Sequence, residues 1–515
     1  MMILKSAGRL TIIDLFADDA RLHPEKIFIR FPGREYSYAE LDRASSHFAA
    51  LLTAAGVSQH DRVAIAMNNR PAFVTAFLGI LRIGAIAVPL NTLYKPDEYA
   101  YALNHAKCKA IVVEPGLATA ATQLNRTLAT FTSPAELDLQ LEPSCDLIPL
   151  DSPCPRITPD DIAGIFYTSG TTSRPKGVVI THGNLTYSAE VTLRSLGITS
   201  ADTPLLAFPL FHVNSLFYGV LTAIALGGAI GLLPSFSVSR YWSQTVEVGA
   251  TWTPGITGPL IRLLLRQEKQ DAETQQRLRF AIGGTFLSLD ELAEFTRRFG
   301  IEILPGWSMT ETVSLGTLHP NYRPMPIPTH TAIGFPTLGQ EIRVVRDDGT
   351  DVAPDEPGEI LFRSPGIFAG YLNDPEPAAT FTEDGWFRTG DLARMDATGY
   401  LTFVDRKKDM IKSKGENVAA TEVERVLNEY PGVLESAVVA EREDQGLWGE
   451  RVVAYVVKNH QACVEAEALQ SWARQKLADF KVPQAIYFVE VLPKTPLGKI
   501  QRALLKSKPA PAAST

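Results

Sequence analysis

The segment Tyr167-Thr168-Ser169-Gly170-Thr171-Thr172-Ser173-Arg174-Pro175-Lys176-Gly177 constrains this chain more than any other, and it follows directly on the apolar run 162–166. Hydroxyls and free backbone N–H groups donate to phosphate oxygens, glycine permits close backbone approach, and Lys or Arg supplies the countercharge. Such a segment after a buried strand reads as a loop that grips a polyphosphate. It is not the Walker loop, G-x-x-x-x-G-K-[ST]. Counted from Gly170, Pro175 stands where that pattern needs glycine and Gly177 where it needs a hydroxyl. Val178-Val179-Ile180 then reads as a strand, whereas a Walker loop runs into a helix. A flexible surface turn is the bland alternative, and the number of phosphate-binding groups that coincide weighs against it.

A chain of 515 residues exceeds one ordinary core, so two or more domains are expected. With 45% hydrophobic and 21% charged residues the composition is that of a soluble globular protein. A net charge of −8 argues against a general nucleic-acid or membrane-surface binder, while leaving room for a small anion held by local cations. Cys108, Cys145, Cys154 and Cys463 form no C-x-x-C pair and no cluster with histidine, which fits a reducing cytoplasm. The first 15 residues include Lys5, Arg9 and Asp14 and do not read as a signal peptide. Residues 216–233 are uncharged and touch the lower limit for a membrane span. Gly227-Gly228 divides them, so they read as a buried helix–turn–strand and not a span.

Along the chain, Ser37-x-x-Glu40 is a capping box that opens a helix ending at Gly56. Strands are expected over 62–67, 86–90 and 109–114, with helices over 71–83 and from Pro96, the rhythm of a layered α/β sheet. Residues 131–160 look like a long surface connection. A helix is expected from Asn184, a strand over 205–208, a helix from the Ser288-x-x-Glu291 box to Gly300, and a strand over 301–304. From Ile333 onward, turns such as Asp348-Gly349 and Pro357-Gly358 predict a mostly β subdomain. A last α+β unit starts near Arg406, with a capped helix from Thr421, strands over 433–440 and 451–457, and a helix near 467–478. The tail 508–515 is expected to be disordered.

Four further stretches place reactive residues in turn settings: Gly306-Trp307-Ser308-Met309-Thr310-Glu311-Thr312, Gly385-Trp386-Phe387-Arg388-Thr389-Gly390-Asp391, the basic run 406–414 leading into Gly415-Glu416-Asn417, and Pro493-Lys494-Thr495-Pro496-Leu497-Gly498-Lys499-Ile500. Singly each has a bland reading: a helix cap, a turn residue, a solvated charged face. Together, in this order, they resemble the adenylate-forming superfamily of acyl-CoA synthetases, luciferases and peptide-synthetase adenylation domains, over nearly the whole chain. The run 168–182, with Ser173 where most relatives carry Gly, is most similar to the crotonobetaine/carnitine-CoA ligase branch. Phe211-His212 and Met410-Ile411-Lys412 also fit that branch.

The resemblance implies an α/β fold: a large N-terminal domain, 1–405, of layered α/β subdomains plus a β-rich subdomain, then a small mobile α+β lid, 406–515, hinged near Lys408. It implies ATP-dependent formation of acyl-AMP from a carboxylic acid, then acyl transfer to CoA, with ATP, Mg²⁺ and CoA as the small molecules. By the same resemblance Thr168, Ser169, Gly170, Thr171, Thr172 and Lys176 hold the β- and γ-phosphates, Thr310 touches the α-phosphate and Glu311 binds Mg²⁺. Trp307, where relatives usually have Tyr, is expected to stack on adenine, whose amine meets backbone near Gly283 and Gly284. Asp391 and Arg406 are expected on the ribose, and His212 beside the acid. Lys499 is expected to offset charge on both reactants during adenylation, and Lys412, Gly415 and Glu416 to meet the pantetheine channel once the lid turns. The acyl pocket is expected from 211–226, 252–258 and 283–287, with Phe217, Tyr218 or Trp252 as a cation–π face for a quaternary ammonium acid. Amino-acid-activating relatives carry Asp after the phenylalanine equivalent to Phe211, and here His212 stands there, which argues against an amino acid. Acyl transfer to a carrier-protein thiol, and a silent nucleotide-binding member, are the alternatives. A homodimer is compatible with either.

Overall fold

A computed structural model describes residues 10–114, 129–132, 156–168, 175–284, 287–321, 325–374, 380–413, 416–442, 450–459, 464–494 and 500–506. Most of the expected connection at 131–160 and the tail at 508–515 lie outside these. So do Cys145, Cys154 and Cys463.

The first layer is a seven-stranded sheet ordered Gly370–Tyr371, Lys176–Thr181, Ile162–Thr168, Ile86–Pro89, Arg62–Ala66, Ala110–Val113, Ala129–Thr132. Its centre is parallel, because Arg62–Ala66 pairs in parallel with both Ile86–Pro89 and Ala110–Val113. Alternating helices make the crossovers, as α/β alternation requires. The helix Pro71–Arg82 starts on its proline, and all but its last residue are buried. Where Ile162–Thr168 meets Lys176–Thr181 the pairing turns antiparallel, with Thr168 opposite Lys176. The two strands that flank the phosphate-loop segment are therefore an antiparallel pair at the border of a parallel sheet.

A second layer has four strands, Arg34–Ser37, Ile27–Phe31, Ile230–Leu232 and Leu205–Leu206, beside the parallel trio Trp252–Ile256, Phe280–Gly283, Glu302–Leu304. A single bridge, Pro204 to Trp252, joins the two sets. The third layer, ordered Gly306–Trp307, Thr317–Leu318, Ala332–Pro336, Leu401–Arg406, Phe387–Met395, Gly358–Arg363, Glu341–Val345, is antiparallel throughout. That is the β-rich part the turn signals predicted. The C-terminal part has a hairpin, Ile411–Ser413 with Glu416–Val418, and a sheet of Val433–Arg442, Glu450–Lys458 and Ala485–Phe488. Helices Ala420–Asn428 and Ala466–Lys476 pack on it, and its buried residues from Ile411 to Val482 form a cluster of their own.

Both capping boxes expected from local pattern are present, Ser37 with Glu40 and Ser288 with Glu291. The helix expected from Asn184 begins two residues earlier, at His182, because Thr181 and Asn184 cap one another reciprocally. The helix expected to be capped at Thr421 has no side-chain cap. The Thr421 hydroxyl donates instead to the Val404 carbonyl at 2.8 Å. Residues 216–233 are a buried helix–turn–strand with one departure: the first part, Asn214–Leu221, is a π-helix that passes into α-helix at Thr222–Leu226. Gly227, left-handed at φ 60°, stops it before the strand Ile230–Leu232. Among the described residues no helix is long and apolar enough to cross a membrane.

Candidate active site

The phosphate end is built from three segments. Lys176 opens the outgoing arm of the hairpin and is exposed. The Tyr101 hydroxyl donates to the Pro175 carbonyl at 3.2 Å and fastens that arm to the helix Pro96–His105. Thr168 ends the incoming arm. Ser169, Gly170, Thr171 and Thr172 lie outside the described residues. The Lys176 ammonium sits 4.4 Å from the ring centroid of Tyr371, whose hydroxyl donates to Glu311 Oε1 at 2.8 Å. Lys176 and Glu311, 135 positions apart, thus meet through a tyrosine that no local pattern singled out.

Glu311 is buried, and burial raises its carboxyl above the usual carboxylate range, opposed by the Tyr371 hydrogen bond. Among the described residues it has no lysine or arginine within ion-pair distance. A buried carboxylate with no direct ion pair, influenced only at a distance by Arg406 and Lys408, suits a hard divalent cation. No group of three His, Cys, Asp or Glu stands together among the described residues, so a magnesium ion here would be shared between this oxygen donor and phosphates, its usual mode. The turn carrying Thr310 and Glu311 is held by Thr312, whose hydroxyl accepts from the Met309 N–H at 3.0 Å. The next residue, Val313, is buried with φ at 61°, a costly left-handed setting for a β-branched side chain.

The nucleoside end lies on the third layer. The Trp307 indole N–H donates to Asp391 Oδ2 at 2.8 Å, and Arg406 Nε stands 3.4 Å from Asp391 Oδ1. Asp391 and Arg406 are partners across neighbouring strands, and Asp391 is buried. Gly316 makes room for the indole, since a Cβ there would lie 2.6 Å from two ring carbons. A cavity of about 360 Å³ opens here, lined by Met309, Thr389, Gly390, Asp391, Arg406, Lys407 and Lys408. Lys407, next to the proposed hinge, is bound to Asp347 and Glu359 at 2.8 and 2.9 Å. Lys408 borders the cavity, its pKa lowered by partial desolvation and by Arg406 beside it. A larger groove of about 920 Å³, lined among others by Arg194, Arg279 and Arg298, shares no residue with these.

Gly283 and Gly284 end the parallel strand Phe280–Gly283 with φ of 132° and 74°. The Gly284 N–H donates to the Ile256 carbonyl, and a Cβ on Gly283 would lie 2.0 Å from that oxygen. The ring of His212 is tilted against Phe211 at 4.6 Å, and Asn214, two residues on, donates to the Pro254 carbonyl at 2.8 Å. This joins the 211–226 and 252–258 stretches. Phe217, Tyr218 and Trp252, offered as cation–π faces, are buried in the core; Phe217 packs edge-on against Phe166 and Trp252 against Phe280. Lys412 and Glu416 are exposed on the hairpin Ile411–Ser413/Glu416–Val418. Gly415 and Lys499 lie outside the described residues.

The strand carrying Lys176, the acidic turn at Glu311 and the Asp391–Arg406 pair with Trp307 form one connected group of side chains, joined through Tyr371 and by the electrostatic influence of Arg406 and Asp391 on Glu311. The chain belongs to the AMP-binding enzyme family: the family model matches residues 16–372, and that of its C-terminal domain residues 422–499. It is 31% identical to an indoleacetate–CoA ligase of Aromatoleum aromaticum, over 94% of this chain and 95% of that one. It is 30% identical to a crotonobetaine/carnitine–CoA ligase of Proteus mirabilis, over 96% and 98%. The o-succinylbenzoate coenzyme A synthetase of Bacillus subtilis, solved with ATP and magnesium ion, superposes with a TM-score of 0.84 at 28% identity, covering 96% of this chain and 99% of that one. The same synthetase with its acyl-adenylate gives 0.85. The chain is an AMP-forming acid–thiol ligase that uses ATP, Mg²⁺ and CoA.

Proposed function

We propose that the chain joins a carboxylic acid without an α-amine to CoA, with the acid seated beside His212 and the nucleotide spanning from Lys176 to Asp391. The acid's oxygen attacks the α-phosphorus of ATP, the bond to the β-phosphate oxygen breaks, and acyl-AMP and pyrophosphate form. The CoA thiol then attacks the acyl carbon, loses its proton and displaces AMP. Chemistry of this kind needs positioning and charge neutralisation more than covalent help from protein. Lys176 and the loop 168–172 hold the phosphates, Thr310 the α-phosphate, Asp391 and Arg406 the ribose, with Trp307 and the backbone at Gly283 and Gly284 around the base. Glu311 would hold magnesium, which would supply neutralisation of phosphate charge. Lys499 bridges carboxylate and α-phosphate, and Lys412, Gly415 and Glu416 serve the thiol half-reaction after rotation at Lys408.

The observation that supports this reading is the chain Lys176–Tyr371–Glu311 together with Trp307–Asp391–Arg406, the two groups being close enough for Arg406 and Asp391 to act electrostatically on Glu311. The named relatives act on indoleacetate and crotonobetaine or carnitine. Burial of Phe217, Tyr218 and Trp252 removes the expected aromatic faces for a quaternary ammonium and favours an uncharged acyl group. ATP–pyrophosphate exchange across a panel of acids, repeated with CoA and with a carrier protein as acceptor, tests it. Exchange with aryl or alkyl acids and thioester formation with CoA are expected; exchange with no acid would leave a silent nucleotide-binding protein. Lys499→Ala is expected to abolish acyl-AMP formation, yet still make thioester from supplied acyl-AMP. An equal loss in both half-reactions would remove Lys499 from its role.

A further inference from the structure

Tyr371 stands on a strand only two residues long, and that strand is fastened unusually well. Gly370 and Tyr371 pair with Val179 and Val178. The flanking N–H groups of Ala369 and Leu372 donate to the Val179 and Gly177 carbonyls at 2.9 and 2.8 Å. The tyrosine backbone is thereby locked to the outgoing arm of the phosphate hairpin. On its other side the Phe368 N–H donates to the Glu311 carbonyl at 3.1 Å, while the Tyr371 hydroxyl donates to the same residue's Oε1 at 2.8 Å. Glu311 is thus gripped at main chain and side chain by residues three apart on one segment. Phe368 packs edge-on against the Tyr371 ring at 5.0 Å and keeps the ring from turning.

The ring face then meets the Lys176 ammonium at 4.4 Å. Among the described residues Lys176 has no carboxylate within ion-pair distance. A cation held by a ring face keeps its N–H donors and its full charge for an incoming anion, which a salt bridge would not allow. One side chain therefore touches both the phosphate-binding cation and the buried carboxylate.

We propose that Tyr371 is a positioning residue that couples the metal-binding carboxylate to the phosphate grip: its hydroxyl aims Glu311 and its ring sets Lys176. This rests on the reading of the site as an ATP–magnesium site. The test is binding, measured apart from turnover, with Mn²⁺ as a paramagnetic stand-in and a non-hydrolysable ATP analogue. Tyr371→Phe keeps the ring and removes the hydroxyl, and it should weaken Mn²⁺ binding to the protein–analogue complex about tenfold, the scale of a hydrogen bond to a charged group. Binding of the analogue in excess chelator should be unchanged. Tyr371→Leu removes the ring as well and should also weaken metal-free analogue binding by roughly threefold or more. In a Glu311→Gln background, Tyr371→Phe should have no further effect on Mn²⁺, because the group it aims is gone. Unchanged Mn²⁺ affinity in Tyr371→Phe, or an equal loss with and without metal, would overturn the coupling. If the unaltered enzyme bound neither the analogue nor Mn²⁺, the ATP-site reading itself would fall.

Discussion

Trp307 has one donor, and it is used on Asp391. The residue was expected to stack on adenine, and the residues 301–312 alone give no sign that its N–H has a partner 84 positions away. That pairing depends on two strands of the third layer lying side by side, which only the tertiary fold decides. Hydrogen bonds to charged groups contribute about 1.5–3 kcal/mol, so Trp307→Phe should raise the KM for ATP by about tenfold through a misplaced carboxylate. If the carboxylate holds the ribose as proposed, the preference for ATP over 2′-deoxyATP should shrink in parallel, and steady-state kinetics with both nucleotides checks this. Gly316→Ala should reproduce part of the effect, since the added methyl would displace the indole. The turn settings of Glu311, Asp391 and Arg406 stand out locally, but the roles proposed for them come from the family resemblance and not from those turns. Tyr371 does not stand out, because a two-residue strand carries no period to read.

His182 is the first residue of the helix His182–Leu196 and is fully buried, with neither ring nitrogen hydrogen-bonded among the described residues. Burial pushes its pKa down to about 4, and the carboxylates of Asp161 and Asp14 offset only part of this. The positive end of the helix dipole opposes the imidazolium too. The folded protein keeps this ring neutral while the unfolded chain protonates it from about 6.5 downward. The unfolded state therefore binds more protons between those values, and stability is lost as the pH falls from about 6.5 towards 4. The loss amounts to about 3 kcal/mol. Denaturant melts of the unaltered protein and of His182→Leu, each at pH 7 and pH 4.5, should show the drop in the first to be larger by roughly that amount. The same stretch marks the reach of pattern reading. The Ser–Glu boxes at Ser37 and Ser288 were plain, whereas Thr181 with Asn184 lacked the usual acid or glutamine. The π-turns of Asn214–Leu221 had no signature, because an apolar run buried all round satisfies either helical period.

At the scale of the molecule, the segment beyond Lys499 is tied to the proposed hinge. Arg502 donates to both carboxylate oxygens of Glu424, at 2.9 and 2.8 Å, and lies 3.7 Å from Asp409. The Thr421 N–H donates to Asp405 at 3.3 Å. Arg502→Leu would leave Glu424 buried without its partner, which should cost about 3–5 kcal/mol of C-terminal stability by denaturant melts. Lys408→Pro, which fixes φ in the loop between the strands Leu401–Arg406 and Ile411–Ser413, should spare one half-reaction and damage the other. Adenylate formation and thioesterification assayed separately decide it, and undiminished thioester formation would speak against a hinge there. The antiparallel third layer carries one more consequence, for the order in which the enzyme comes into being. The phosphate hairpin is complete once residue 181 has been synthesised, but Trp307 finds Asp391 only after the strand Phe387–Met395 has paired. A chain emerging from its amino end must therefore wait for the strand ending at Arg406 before its nucleotide site is whole. An amino-terminal fragment that stops short of Phe387 would keep Lys176, the proposed phosphate cation, and have no Asp391, the proposed ribose carboxylate, to set against it.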